Sequence, residues 1–513
     1  MSLLESLPVE ILNEICSLLC DHCAEPTWPD PLLASTVAEM DYGAWEWDHH
    51  WHGIEPLLQP GYGRGRRGPT PALAALCRTS RFLRIVAQPY FYHSIKCSDA
   101  GDGDFLPQLV LTLASNPHLA QHVKNVEIVY PRIKDIPPGV LPALAETAKR
   151  LDLLLPRRWA EQCGDRDAAI IQLLLLHLPN AATMTISLMR EWIFGHWWLP
   201  AIHNPTTRHC LRALTKLCVL EDKESDLQGY PTNEWLFTII MAAENLKTLA
   251  LEEFVPEPIE KFPLAGLRNI VHLSIHYSLN CVSADAVTAL IQACDRLEVF
   301  HMKWSPDGDE LYEPIPPHCV LEALEKHTAS LRILSLLMEK PEGDDGPGDE
   351  RPFPPARDQD LRHFEKLESL WIHLRDLKCA DSRSRIDNAA DDALVASFPP
   401  SLERLYLADP VEQVFYAVVR LASAWAKGKL PALKEVAVRY DANFLQAPAR
   451  EKYAKLATEV LKGRSDNGWI ADQNPVNLAN QCLAMIRAVW DRVGCPGKMP
   501  VTPPSSEARL IWQ

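Results

Sequence analysis

Leu246-Lys247-Thr248-Leu249-Ala250-Leu251 and Ile270-Val271-His272-Leu273-Ser274-Ile275 share one phrase, apolar-x-x-apolar-x-apolar. Residues two apart in a strand point to the same face, so the last two apolar positions enter a core together. The first lies in the turn before the strand. Upstream the phrase recurs as Val123/Val126/Ile128 and Leu214/Leu217/Val219. Downstream it recurs as Leu297/Phe300/Met302, Leu331/Leu334/Leu336, Leu367/Leu370/Ile372, Leu402/Leu405/Leu407 and Leu433/Val436/Val438. Weaker copies are Ala148/Leu151/Leu153 and Ala181/Met184/Ile186. Successive starts lie about 24 to 36 residues apart, a repeat period rather than a run of unrelated strands. Helical stretches fall between the phrases. The clearest is Ser283–Asp295, where Ala286, Leu290, Ile291 and Cys294 share one side. The expected fold class is α/β.

A strand and a helix per repeat, stacked side by side, resembles a leucine-rich-repeat horseshoe over Val123 to Tyr440. The asparagine or cysteine that usually follows the strand in that family is mostly missing here. The resemblance implies a solenoid over 98–440, and the alternative is an ordinary α/β sheet of unequal units. Lys340–Pro355 and Asp376–Asp391 read as polar interruptions. After Tyr440 the phrase stops, and Glu451–Leu461 and Asn477–Val493 take up helical spacing. A repeat array needs a closed end, so 441–513 is expected to form a helical C-terminal cap and tail.

The N-terminus has a different pattern. Leu7-Pro8-Val9-Glu10-Ile11-Leu12-Asn13-Glu14-Ile15 opens it, with Pro8 at a helix start and Ser6 as the expected N-cap. Leu76-Cys77-Arg78-Thr79-Ser80-Arg81-Phe82-Leu83 follows, with Pro89-Tyr90-Phe91-Tyr92 at its exit. Together these stretches resemble an F-box, in the style of its fungal members. The F-box is the small helical module that docks a protein onto the Skp1 adaptor of a cullin ubiquitin ligase. The resemblance implies a three-helix F-box-like module over 1–97, with a long insertion at about 20–71. It also implies that Leu7, Pro8, Ile11, Ile15, Leu76, Cys77 and Phe82 face the adaptor or the module's own core. Ser80 stands where many members carry tryptophan. Helices this short cannot bury enough surface to stand firmly alone, so a partner would complete their core.

Three chemical patterns lie in the insertion. Gly63-Arg64-Gly65-Arg66-Arg67-Gly68 matches a dinucleotide fingerprint by letter. Pro60, Pro69 and Pro71 around it deny it the strand and helix that the fingerprint needs. Cys20-x-x-Cys23 with His49-x-x-His52 offers four zinc-type ligands, at a histidine spacing shorter than that of zinc fingers. Trp45, Trp47 and Trp51 form an aromatic patch that either meets a partner or folds back on the protein. The expectation is no cofactor and no metal.

Composition narrows the function. The chain has 513 residues, 47% of them hydrophobic and 23% charged, as in folded globular proteins. Its net charge of −16 argues against non-specific nucleic-acid binding. The longest apolar stretch, Ala168–Leu178, falls far short of a membrane span. The scattered cysteines and the absence of a basic leader suggest an intracellular protein of cytoplasm or nucleus. No Gly-x-Ser-x-Gly, His-Glu-x-x-His or phosphate loop occurs, so no catalytic residues are expected.

The expected function is substrate recognition in a Skp1-cullin-F-box ligase. The alternative is a non-ligase repeat scaffold with a vestigial F-box. Positions between and just past the buried strand residues would meet the target. His276, His301, Lys303, Trp371, His373, Tyr406 and Arg439 gather in the later repeats against an acidic background. Aromatic rings supply contact area and cations supply charge-assisted hydrogen bonds, which suits an acidic or phosphorylated peptide.

Overall fold

The computed structural model describes residues 3–20, 23, 70–97, 102–129, 133, 136–153, 155, 159, 163–188, 210–221, 234–252, 264–277, 283–304, 315–338, 361–372, 395–407, 421, 429–439 and 507–511. The chain divides into two compact units, with the boundary between Arg296 and Leu297.

The first unit opens with helices α1 (Val9–Leu18), α2 (Thr70–Thr79) and α3 (Arg81–Phe91). Six strands follow: β1 (Ser94–Cys97), β2 (Asn125–Ile128), β3 (Thr183–Leu188), β4 (Lys216–Glu221), β5 (Thr248–Glu252) and β6 (His272–Tyr277). They lie side by side in chain order, each parallel to the next. Helices α4 (Leu106–Ser115), α5 (Pro117–Ala120), α6 (Val140–Arg150), α7 (Cys163–Leu176), α8 (Glu234–Ala242) and α9 (Ala284–Ala293) come between and after them. Gly266 marks a close approach to α8, for a Cβ there would stand 2.8 Å from Ile240 Cγ2.

The second unit repeats the plan. Strands β7 (Val299–Trp304), β8 (Ile333–Met338), β9 (Ser369–Ile372), β10 (Arg404–Leu407) and β11 (Glu435–Arg439) run in order, with β8 parallel to β7, β9 to β8, β10 to β9 and β11 to β10. Helix α10 (Pro317–Leu324) precedes β8. Strand β12 (Glu507–Ile511) pairs with β11 antiparallel.

The strand phrase is present as read. In β4, Leu217 and Val219 are buried with Leu214 before them, and in β9 and β10 the same three positions are buried. Parallel strands buried on both sides are rich in Val, Ile and Leu. The Ser283–Asp295 helix is also present as read. Ser283 caps α9 by accepting the Ala286 N–H at 3.1 Å, and Ala286, Val287, Leu290 and Ile291 are buried.

The leucine-rich-repeat horseshoe, with a three-helix module before it and a helical cap behind, is corrected to an α/β fold of parallel strands in unequal units. Three observations overturn it. Strands β5 and β6 start 24 residues apart (248 and 272), but β2 and β3 start 58 apart (125 and 183), so no period is kept. The phrase Ala148/Leu151/Leu153 is no strand. Ala148 lies in the last turn of α6, Asp152 turns the chain at φ 58°, and the Leu153 N–H returns to the Ala148 carbonyl at 2.9 Å. Asp tolerates that left-handed turn because its short polar side chain bonds locally. Finally, sheet pairing reaches into both flanking segments: β1 lies inside 1–97, and β12 lies where the cap was expected. The helical stretches expected at 451–461 and 477–493, and the interruptions at 340–355 and 376–391, lie outside the described residues.

The apolar run read as too short for a bilayer is helix α7. Ala168 to Leu176 are all buried, as an apolar helix requires when neighbours cover every side. No helix among the described residues is long and apolar enough to cross a membrane. Asp167 stands at the head of this run, also buried, accepting the Ile133 N–H at 3.4 Å and Arg166 Nε at 3.2 Å. Burial pushes its carboxyl up from 3.8 to about 6, against the opposing pull of the Ile133 amide and Arg166. The folded state therefore holds the proton more tightly than the unfolded state, and stability from this group is lost as pH rises from about 4 through 6. Asp167→Asn should remove that loss. The stability gap between variant and wild type in urea unfolding should widen from pH 4 to pH 7, by at most about 3 kcal/mol. A gap that does not change with pH would rule the carboxylate out as the cause.

Candidate functional site

Leu12, Cys16 and Cys20 from α1 and its exit pack against Leu73 of α2 and Leu83, Val86 and Ala87 of α3. This small core explains how the helices begin. Pro8, not Ser6, is the N-cap of α1, and its carbonyl accepts the Ile11 and Leu12 N–H groups at 3.1 Å each. Ser6 lies in a preceding 3-10 turn, Leu3–Ser6. Ser80 caps α3, its hydroxyl accepting the Leu83 N–H at 3.2 Å. A tryptophan there would offer no oxygen for that bond. Arg84 Nε donates to the Cys77 carbonyl at 2.9 Å and ties α3 to the end of α2.

These helices expose several large apolar side chains. Seven large apolar side chains are exposed among the described residues, and five belong here: Val9 (45%), Ile11 (48%), Leu18 (65%), Phe82 (41%) and Ile85 (66%). Ile11, Ile15 and Leu18 recur at helical spacing along α1, and Phe82 and Ile85 stand one turn apart on α3. The residues expected to meet an adaptor divide in two. Pro8, Ile11 and Phe82 are exposed and Ile15 is half-buried, whereas Leu7, Leu76 and Cys77 are half-buried against the inner cluster. Leu18 belongs to the helical stripe of α1 without being expected at the adaptor, and Val9 and Ile85 were missed.

In the second unit the strand register assembles a row. His301 of β7 lies opposite Ser335 of β8, Ser335 opposite Trp371 of β9, Trp371 opposite Tyr406 of β10, and Tyr406 opposite Ala437 of β11. His301 and Trp371 are two strands apart, about 10 Å along the sheet. Their rings nevertheless lean to a centroid separation of 6.3 Å at 64°, across the short side chain of Ser335. Lys303 lies two positions beyond His301 on the same face of β7 and is half-buried. Tyr406 is buried. Arg439 closes β11 opposite Glu507 of β12. His373 lies outside the described residues. His276 belongs to β6 in the first unit, is buried, and lies opposite Glu252 of β5. The matching row of that unit runs Glu127, Thr185, Cys218, Ala250, Ser274.

A third cluster sits where the helices meet the sheet. Cys20, Cys23 and His93 place their ligand atoms within 4.8 Å of one another. His93 Nδ1 is 3.3 Å from Cys23 Sγ and 3.8 Å from Cys20 Sγ. Burial, and then Cys20 beside it, pushes the Cys23 thiol up to about 11. The histidine partners anticipated for this pair, His49 and His52, lie outside the described residues, as do the Gly63–Gly68 stretch and Trp45, Trp47 and Trp51.

No family model matches the chain, and no curated protein matches it either. The geometry itself defines an α/β protein whose N-terminal helices expose large apolar side chains. Replacing Ser80 with alanine should fray α3. Hydrogen exchange at Leu83 and the following turn should quicken about 5-fold, the equivalent of about 1 kcal/mol of lost capping. Unchanged exchange there would show that the cap is not needed.

Proposed function

We propose that the chain is the substrate-recognition subunit of a Skp1-cullin type ubiquitin ligase. Helices α1 and α3 dock a Skp1-like adaptor, and the parallel-sheet body holds the target protein. The observation that carries this reading is the concentration of exposed Val9, Ile11, Leu18, Phe82 and Ile85 on helices with so small a core. Isolated exposed apolar residues need no explanation, but several clustered on one small element mark an interaction surface. The order of the two sequence stretches, and their F-box-like residues, name the partner. Ubiquitin transfer itself belongs to other subunits, so this chain needs no catalytic residues.

Ile11 and Phe82 are exposed, so changing them leaves the inner cluster intact. Ile11→Asp with Phe82→Asp should cut co-purification with Skp1 by more than about 30-fold, the loss of one central apolar anchor. Capture at the wild-type level by a folded double variant overturns the reading. A wild-type chain that holds no Skp1 leaves the scaffold alternative.

The target face is the row through His301 and Trp371, flanked by Lys303 and Arg439. Aromatic edges and cations in a chain of net charge −16 suit an acidic or phosphorylated peptide. Lys303→Glu with Arg439→Glu should abolish capture of such a target in pull-downs while adaptor binding persists. Equal capture by the folded variant would remove this assignment and leave the adaptor face standing.

A further inference from the structure

We propose that Cys20, Cys23 and His93 form a binding site for a thiophilic divalent cation, with Zn2+ as its natural occupant. This inference is independent of the ligase reading. Its ground is the arrangement of three ligand atoms brought together from stretches 70 residues apart.

The distances fit one metal. Zinc holds thiolate sulfur at about 2.3 Å and imidazole nitrogen at about 2.0 Å in a tetrahedron, which sets each sulfur–nitrogen edge at about 3.5 Å. The two edges here are 3.3 and 3.8 Å. The imidazole thus faces both sulfurs through a single nitrogen, Nδ1, as a third ligand must. A disulfide between the cysteines would give the ring no reason to sit there, and both are free thiols.

The surroundings favour a cation. Helix α1 ends at Leu18 and α3 ends at Phe91, so two helix C-termini lie within a few residues of the ligands. Their terminal carbonyls carry partial negative charge. The Tyr90 carbonyl lies 3.5 Å from Cys20 Sγ, and the Tyr90 ring packs 5.0 Å from the His93 ring, limiting its rotation. Cys20 is buried and Cys23 is exposed.

The backbone of His93 gives the site a structural purpose. Its carbonyl accepts the N–H groups of Lys124 and Asn125 at 2.8 and 2.9 Å, where β2 begins. A metal on its ring would therefore clamp the exit of α1 to the first edge of the sheet. Structural zinc contributes directly to folding free energy, because the unfolded chain has no preformed site.

The test uses the full chain, purified under reducing conditions without chelators or metal-affinity resin, equilibrated with zinc and desalted. Elemental analysis should find about one zinc per chain. Cys23→Ser and His93→Gln should bring it close to zero, while Cys319→Ser, in the second unit, should leave it unchanged. Cobalt in place of zinc should show a thiolate-to-metal charge-transfer band that weakens in Cys23→Ser. Titrating the folded wild type with a mercurial should release the zinc as two thiols react, a measurement that needs no variant. A wild-type protein that retains neither zinc nor cobalt overturns the proposal. So does zinc retained equally by Cys23→Ser, or a Cys20–Cys23 disulfide that forms in place of metal binding.

Discussion

One backbone carbonyl before each strand is the interaction on which the architecture depends. The Lys124 carbonyl accepts two N–H groups, those of Ala182 and Thr183. Ala182 in turn accepts from Thr215 and Lys216, Thr215 from Lys247 and Thr248, and Lys247 from Val271 and His272. In the second unit Glu298 accepts from Arg332 and Ile333, Arg332 from Glu368 and Ser369, and Glu368 from Glu403 and Arg404. Each shared carbonyl fixes where the next strand begins, so the register of these pairs is set before the strand itself starts. A one-residue slip would send every core side chain to the other face of its strand. This constraint lets helices of different length and position fill the intervals while the strands stay aligned.

Side chains reinforce the same corner. Asn180, Asn245 and Asn269 donate to the carbonyls of Gln121, Arg212 and Glu244, and Ser330 and Ser401 donate to those of Leu297 and Leu367. All five stand one residue before an apolar phrase. In the second unit charge adds to this: Arg332 grips Glu368 through two bonds of 3.0 and 2.9 Å, and Lys434 reaches Glu403 at 2.7 Å. These pairs are partly exposed and contribute no more than about 1 kcal/mol each. Their value lies in keeping the corner carbonyls aligned. A polar residue thus stands before each of these five phrases.

The strands were legible in advance, and the intervals between them were not. The phrase located β2 to β11 because alternation of apolar residues reports burial on a pleated strand whatever surrounds it. It could not report what lies between strands, and so a period was assumed where the intervals differ. It also misread Ala148/Leu151/Leu153, since an apolar residue at a helix end and another just past the turn give the same letters as a strand. The stripe on α1 and α3 was legible, because 3.6-residue spacing persists into the exposed positions. The row from His301 to Tyr406 was legible too, because register follows from the phrase. His93 was not: a histidine ending a helix and leading into a strand carries no mark of what lies across from it. Proximity in sequence pointed to His49 and His52, whereas the approach of His93 follows from α1 packing against α3.

His93 is where these levels meet. Its carbonyl opens the corner series of the first unit, bonding Lys124 and Asn125 as Lys124 then bonds Ala182 and Thr183. Its ring faces the two thiols at the exit of α1. A residue whose backbone belongs to the sheet and whose side chain belongs to the helices fixes the orientation of one against the other. The contact of His93 with Cys20 and Cys23 joins the exit of α1 to the residue that leads into β1. The small helical core, the capped start of α3 and the cluster at its end then answer a single requirement, which is to make a marginal group of helices rigid where it meets the sheet and apolar where it faces outward.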